Sequence, residues 1–368
     1  MLVTIIVFII VFGVVVVAHE FGHFLLAKLN GIKVIEFAVG MGPVIFQKKK
    51  GETNYVIRLL PIGGACMFEG EDGLSTKKEE EEQKREKSVY DTDVVQTKTT
   101  EGAFNEANVW ARIATVIAGP LFNIILAFLL SLIVVGFTGS AKPVVNSVLD
   151  DYPAQEAGFQ VGDIITKING ERVYLQSEVT LYSALNQGES FTIEYERDGE
   201  RYKTVLQPKY DEEAGRYYMG FSIGEYVSCK GIDLIKYSAY ETRYVVKATV
   251  KSLVMLVQGK LSKDDLSGPV GIAATIDETI EETKPYGLPT VVLTMINFAV
   301  LLSANLGVMN LLPIPALDGG RLLFLLFEVV RGKPIPPEKE GIVHFIGFVA
   351  LMILMVFVMY NDIARIFS

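Results

Sequence analysis

Four stretches of this chain are almost unbrokenly apolar, and between them the pattern changes character. Residues 2–29, 109–137, 290–312 and 342–367 reach, or nearly reach, the length needed to cross about 30 Å of hydrocarbon. Each is predicted to be a membrane helix. Arg112, near the start of the second, is expected to snorkel toward the interface. Residues 33–68 carry two strand-like runs, Val34 to Val39 and Tyr55 to Leu60, punctuated by Gly40-Met41-Gly42-Pro43 and Pro61-Ile62-Gly63-Gly64. They predict a small β element at the membrane. Its backbone must be paired or line a cavity, and an exposed edge could pair with an extended substrate.

The polar remainder falls into three pieces. Residues 69–108 are dense in charge and predict a mobile cytoplasmic loop, a gate or docking segment being the other reading. Residues 142–225 are long enough for a small domain, with runs at Phe191 to Glu196 and Tyr202 to Leu206 joined by a turn at Asp198-Gly199. Residues 231–260 predict an amphipathic extracytoplasmic helix with Lys236, Arg243, Lys247 and Lys251 on one face. That face could lie on the outer membrane surface or pack against the preceding domain. The fold class expected is a multi-pass α-helical membrane protein with four transmembrane helices. A membrane-associated β element and one extracytoplasmic α+β domain complete it. Its segments are 1–32, 33–68, 69–108, 109–138, 142–225, 231–260, 290–320 and 342–367.

Composition agrees. Half of the 368 residues are hydrophobic and the mean hydropathy is +0.34, too apolar for an ordinary soluble enzyme. A net charge of −9 gives no reason to expect a nucleic-acid partner. No Lys or Arg precedes the first span, whereas Lys28, Lys33, Lys48, Lys49, Lys50 and Arg58 follow it. Arg321, Arg331 and Lys333 follow the third. Those sides are expected to be cytoplasmic, which leaves both termini and the 142–225 domain outside. The first apolar run lacks a basic leader and ends on a chemical motif, so it reads as a retained helix rather than a signal peptide. Cys66 and Cys229 fall on opposite sides in this topology and read as packing residues.

That motif is His19-Glu20-Phe21-Gly22-His23. On a helix, His19 and His23 leave the same face and can reach one zinc ion. Glu20 is placed to touch water held by that ion, take its proton and pass it to a leaving amine. Ionisable groups in an apolar segment are costly, and a cluster of them points to function. At the end of the third span, Pro313 and Pro315 should end the helix, and Asp318 can complete a His₂-carboxylate zinc site. Asn123, in the Gly119-Pro120-Leu121-Phe122-Asn123 segment of the second span, reads equally as a helix-packing residue or as support for the site. His344, the one remaining histidine, reads as interfacial rather than as a fourth ligand.

The run from Pro153 to Gly170, PAxxAGxxxGDxIxxING, resembles a bacterial PDZ domain. The functional reading of such a domain is peptide binding by strand addition; the alternative is a steric plug. HExxH in the first span, GPxxN in the second and NxxPxPxLDGG in the third together resemble the site-2 protease family of intramembrane zinc metalloproteases. The PDZ-like module and Gly268-Pro269-Val270-Gly271-Ile272 resemble its bacterial regulator-of-sigma-E protease branch. The best-known members carry two PDZ modules, and this chain has room for one. The resemblance implies that His19, His23 and Asp318 bind Zn²⁺ and that Glu20 is the catalytic base. It also implies that Asn305, Asn310 and Asn123 hold substrate or order the site. The partners it implies are single-pass membrane proteins, such as anti-sigma factors or remnant signal peptides, and a peptide ligand of the PDZ-like domain. The implied location is the bacterial cytoplasmic membrane. A catalytically silent PDZ-bearing scaffold and a metal transporter are the alternatives. An intact Glu20 argues against the first, and four spans without an inverted repeat argue against the second.

Overall fold

The computed structural model describes residues 2–71, 102–185, 188–212, 216–260 and 267–367. Most of the charged segment expected over 69–108 lies outside the described residues. The elements begin with α1 (Leu2–Leu29), β1 (Val34–Lys50), β2 (Thr53–Phe68) and α2 (Val109–Thr138). Next come β3 (Ser140–Val148), α3 (Pro153–Glu156), β4 (Ile164–Ile168), β5 (Glu171–Arg172), α4 (Gln176–Leu185), β6 (Phe191–Arg197) and β7 (Glu200–Leu206). After these are β8 (Lys209–Asp211), β9 (Arg216–Tyr218), β10 (Phe221–Val227) and α5 (Ile232–Val257). The chain ends with α6 (Pro269–Thr283), α7 (Leu288–Asn310), α8 (Asp318–Arg331) and α9 (Pro337–Phe367). Two compact units result, Met1–Ala127 with Leu253–Ser368, and Phe128–Ser252.

Val3–Leu29, Val109–Thr138, Leu288–Asn310 and Lys339–Arg365 are long and apolar enough to span a membrane. α1 is rich in Val and Ile, which are mediocre helix formers in water. In lipid an α-helix is the one local structure that pairs every backbone group within a single segment. α1 and α2 approach closely where Gly22 meets the Ala118 carbonyl, since a Cβ on Gly22 would lie 2.4 Å from that oxygen. As the two prolines require, α7 stops at Asn310, and a new helix begins at Asp318.

α6 and α8 do not appear in the sequence reading. α6 is tied to the fourth span by Asp362, a fully buried residue of α9. Its carboxylate accepts the backbone N–H of Gly268 at 3.0 Å and of Gly271 at 2.8 Å, filling the donors left open at the start of α6. α8 is joined to α2 by Arg112. That residue does not snorkel: it is buried and forks onto Glu328, with one N–H···O bond of 3.1 Å and a second, shorter one. Arg112 also gives its Nε–H to the Ala107 carbonyl at 3.1 Å. A guanidinium this far from water needs its full set of partners, and pairing serves where snorkelling is not available.

β1 and β2 form a hairpin that folds back on itself. Residues 37–39 pair on one side with 55–57 and on the other with 64–66. The 64–67 segment is therefore an outer strand. The distal half of the hairpin exposes Met41, Val44, Ile45 and Phe46, an apolar rim suited to lipid rather than water.

The second unit is built on an antiparallel sheet ordered β10-β3-β4-β6-β7, with β5 added to β4. Asp198-Gly199 makes the β6–β7 turn as expected, both residues having positive φ (52° and 83°). Ile165, Ile168, Phe191, Ile193 and Tyr195 fill the core with Val179 and Tyr182 of α4. Asp163 is fully buried and held by Arg197 through two bonds of 2.6 and 2.7 Å. The cationic face of α5 packs against this domain. Arg243 binds Glu178 at 2.6 Å, Lys247 lies 2.8 Å from Glu171, and Lys251 binds Glu171 at 3.1 Å. Acidic groups on the module thus occupy three of the four charges that the outer-surface alternative assigned to lipid, while Lys236 stands over the Tyr237 and Tyr240 rings of its own helix.

Candidate metal centre

The helical spacing of α1 puts the imidazoles of His19 and His23 side by side, both buried, with their Nε2 atoms 3.2 Å apart. Asp318, the first residue of α8, brings Oδ2 to 3.1 Å from Nε2 of His19 and 3.3 Å from Nε2 of His23. Among the described residues this is the one cluster of three His, Cys, Asp or Glu groups arranged to hold a metal.

The neighbours of each ring fix what these atoms can do. Nδ1 of His23 lies 2.8 Å from the Thr115 carbonyl, which can only accept, so Nδ1 carries the proton and Nε2 presents a lone pair. Nδ1 of His19 faces the side-chain amide of Asn123 at 3.2 Å. Asn123 is fully buried, and its Oδ1 has no hydrogen-bond partner. Turning the amide sets Oδ1 against a protonated Nδ1, satisfies the orphaned oxygen and frees Nε2 of His19 as a second lone pair. Oδ2 of Asp318 is likewise buried without a hydrogen-bond donor. Three electron-rich atoms then converge with no proton among them, an arrangement that is repulsive unless a cation sits between. Zinc bound at about 2.0–2.1 Å in tetrahedral fashion places its ligands about 3.3 Å apart, which matches the separations of 3.1–3.3 Å observed here. The residues fit the ion.

Glu20, half-buried, lines the same cavity of about 240 Å³ as His19, His23, Asp318 and Asn310. Gly64, on the outer strand of the hairpin, packs onto it: a Cβ there would lie 2.6 Å from Cγ of Glu20. Nδ2 of Asn310 comes within 3.4 Å of Nε2 of His19. Asn305 is half-buried in α7 and is not among the residues that line this cavity. So the structure gathers His19, Glu20, His23, Asn123, Asn310 and Asp318 at one place.

Several residues of the site were not anticipated. Cys66, read from sequence as packing, lines the cavity; burial, with Glu20 and Glu71 nearby, pushes its thiol well above the usual range. Glu71 and Arg321 line the cavity too and form an ion pair, with the Arg321 guanidinium over the Phe104 ring at 4.5 Å. Gly119 gives the two imidazoles their space. His344 accepts the Ala316 N–H on Nδ1 at 2.9 Å, so it is a hydrogen-bond partner of the loop before Asp318. Only the glycine had a sequence signal, its place one turn before Asn123.

Buried donors of this kind among membrane-length helices, with the Glu20 carboxylate alongside, define the chemistry of metal-assisted hydrolysis in an integral membrane protein. Residues 7–354 match the profile of peptidase family M50, and the chain belongs to that family. The regulator of sigma-W protease RasP of Bacillus subtilis is 36% identical to it, the alignment covering 99% of each chain. The zinc metalloprotease RasP of Bacillus licheniformis is also 36% identical, again over 99% of each. That of Geobacillus kaustophilus is 34% identical, over 99% of this chain and 98% of its own. Among solved structures, the PDZ domain of an SdrC-like protein from Listeria monocytogenes aligns with 22% of this chain and 86% of its own, at 24% identity and a TM-score of 0.21.

Proposed function

We propose that this chain is an intramembrane zinc endopeptidase in which His19, His23 and Asp318 hold the ion and Glu20 is the general base. The convergence of two imidazole Nε2 atoms and one carboxylate oxygen at 3.1–3.3 Å, with Glu20 on the same helix, carries the reading. When bound, the ion acidifies water and polarises a peptide carbonyl. Glu20 takes the proton from the attacking water on its carboxylate and returns it to the departing amine. Asn123 and the Thr115 carbonyl hold the two imidazoles in their ligating tautomers. Asn310, beside His19, and Asn305 help hold the substrate or order the site.

A peptide bond inside a helix is shielded by its own hydrogen bonds and must unwind before attack. The outer 64–67 strand offers the freed amides new partners by strand addition, next to Glu20. Substrates are then single-pass membrane proteins, such as anti-sigma factors or remnant signal peptides. They are cut within or near the bacterial cytoplasmic membrane, toward the cytoplasm. Both termini and the PDZ-like domain lie outside, where that domain binds an extended peptide or limits access. The segments assigned from sequence, 1–32 through 342–367, serve as the functional parts.

The test is cleavage of a tagged single-pass membrane substrate by the detergent-purified protein and its Glu20→Gln variant, with zinc counted in both. The expected result is one zinc in each and cleavage by the unmodified protein alone. Cleavage by both would remove Glu20 from the mechanism. A transporter would bind zinc without cutting.

A further inference from the structure

The loop of residues 311–317, between α7 and α8, sets where Asp318 stands; at its start the Leu311 and Leu312 N–H groups close onto the Val308 and Met309 carbonyls at 3.2 and 3.1 Å. Pro313 and Pro315 have no N–H to give. Ala316 sits at φ 75°, a left-handed conformation that a residue with a Cβ avoids. The Ile314 N–H bonds to the Leu312 carbonyl at 2.7 Å and the Leu317 N–H to that of Ile314 at 3.1 Å. The Ala316 N–H goes elsewhere, to Nδ1 of His344 on the fourth span, at 2.9 Å.

The fourth span is seated on this loop by a second contact on the same helical face. Gly347, one turn after His344, packs against Pro315 so closely that a Cβ would lie 2.5 Å from the proline Cβ and 2.6 Å from its carbonyl oxygen. The His344 ring also stands 5.6 Å from that of Phe324 on α8. His344 and Gly347 thus hold both residues that precede Leu317 and Asp318.

We propose that His344 is a positioning residue of the metal centre. It accepts the Ala316 N–H, keeps the left-handed turn in place and so sets Oδ2 of Asp318 at ligating distance from the two imidazoles. The fourth span thereby becomes part of the site without touching the ion. A ligand aimed by a backbone that needs an outside hydrogen bond loses alignment when that bond goes, and the ion dissociates faster. This inference rests on the proposed zinc site.

The experiment uses zinc itself as the probe, so no substrate is required. Full-length protein in detergent is loaded with one zinc, and release to a coloured chelator is timed for the unmodified protein, His344→Phe and His344→Asn. Phenylalanine keeps the ring against Phe324 and removes the acceptor. Asparagine gives up the ring but keeps an acceptor oxygen at the position of Nδ1. The expected result is release about tenfold faster in H344F and within about threefold of the unmodified protein in H344N, the lower end of the effect of groups that orient ligands. Fast release from H344N with normal release from H344F would make His344 a packing residue and overturn the inference. Equal rates in all three would overturn it as well. If the unmodified protein holds no zinc, the zinc-site reading falls first and this inference with it.

Discussion

Gly119 stands where any side chain would collide with His23: a Cβ built on it would lie 2.2 Å from Nε2 of His23 and 2.9 Å from Cε1 of His19. The second span therefore contributes to the site by leaving something out. The two imidazoles occupy the volume of the missing methyl group, and Asn123, one turn further, is on the same face to meet Nδ1 of His19. Backbone atoms do not yield, so an added methyl must push the imidazoles off their positions. Gly119→Ala is expected to reduce bound zinc at least tenfold in the purified protein. Gly13→Ala, where a Cβ meets nothing within 4 Å, should leave zinc unchanged. Normal zinc in both variants would mean that the imidazoles have another place to go.

Asn123 offers a sharper test of how the site is tuned. With its amide oxygen toward Nδ1 of His19, it acts as an acceptor, and an aspartate would do the same with more charge. Asn123→Asp should hold zinc within a few-fold of the unmodified protein. Asn123→Leu fills similar space but leaves Nδ1 without an acceptor, and competition against a chelator should show about a 10- to 100-fold weaker site. If both variants bind equally well, the orphaned Oδ1 has been assigned the wrong partner.

Much of this was legible in the chain because lipid simplifies the code. Four apolar runs matched four helices to within a few residues, since backbone in hydrocarbon has almost no alternative to a helix. HExxH was legible because its i, i+4 spacing carries the geometry on one element. What stayed hidden depends on residues far apart in sequence. The pairing of Arg112 with Glu328 spans 216 positions and turned an expected snorkelling residue into a buried one. The twofold pairing of residues 37–39 follows from a hairpin folding over itself, which no run of alternating residues announces. α6 and α8 were missed because neither is apolar enough to register as a span. The hydrogen bond of His344 could not be seen either, because Ala316 looks like any alanine until its φ is known.

The packing of α5 on the PDZ-like domain has a pH signature. Burial pushes the Glu171 carboxyl up, but Lys247, the Tyr182 hydroxyl and Lys251 outweigh it and hold the group down to about 2. A carboxyl whose pKa is lower in the folded than in the unfolded chain binds more protons when unfolded, so its stabilising effect grows with pH. It is complete above about pH 5 and fades as pH falls from there toward 2. The side chain is half exposed, and solvent screening keeps the effect small. Glu171→Gln should lower the thermal unfolding midpoint by a few degrees at neutral pH, a gap that narrows between about pH 5 and 3. A gap that widens on acidification would reverse the sign and dismiss these ion pairs as its source.

Gly64 separates the base from the metal. Its missing side chain lets the outer strand lie on Glu20, with Cγ of Glu20 2.6 Å from where a Cβ would be and Val16 Cγ1 at 3.1 Å. None of the three proposed ligands is among its nearest neighbours. Gly64→Val should therefore displace the Glu20 carboxylate and the adjoining strand while His19, His23 and Asp318 keep their places. The expected outcome is full zinc occupancy with turnover of a membrane substrate lowered by two orders of magnitude or more, comparable to losing a positioned general base. Gly64→Ala, with the smaller overlap, should fall between the two. Parallel loss of zinc and turnover would show that the strand supports the whole centre. Unchanged turnover would show that Glu20 can reach its water from elsewhere, and the strand would then have no part in aligning the base.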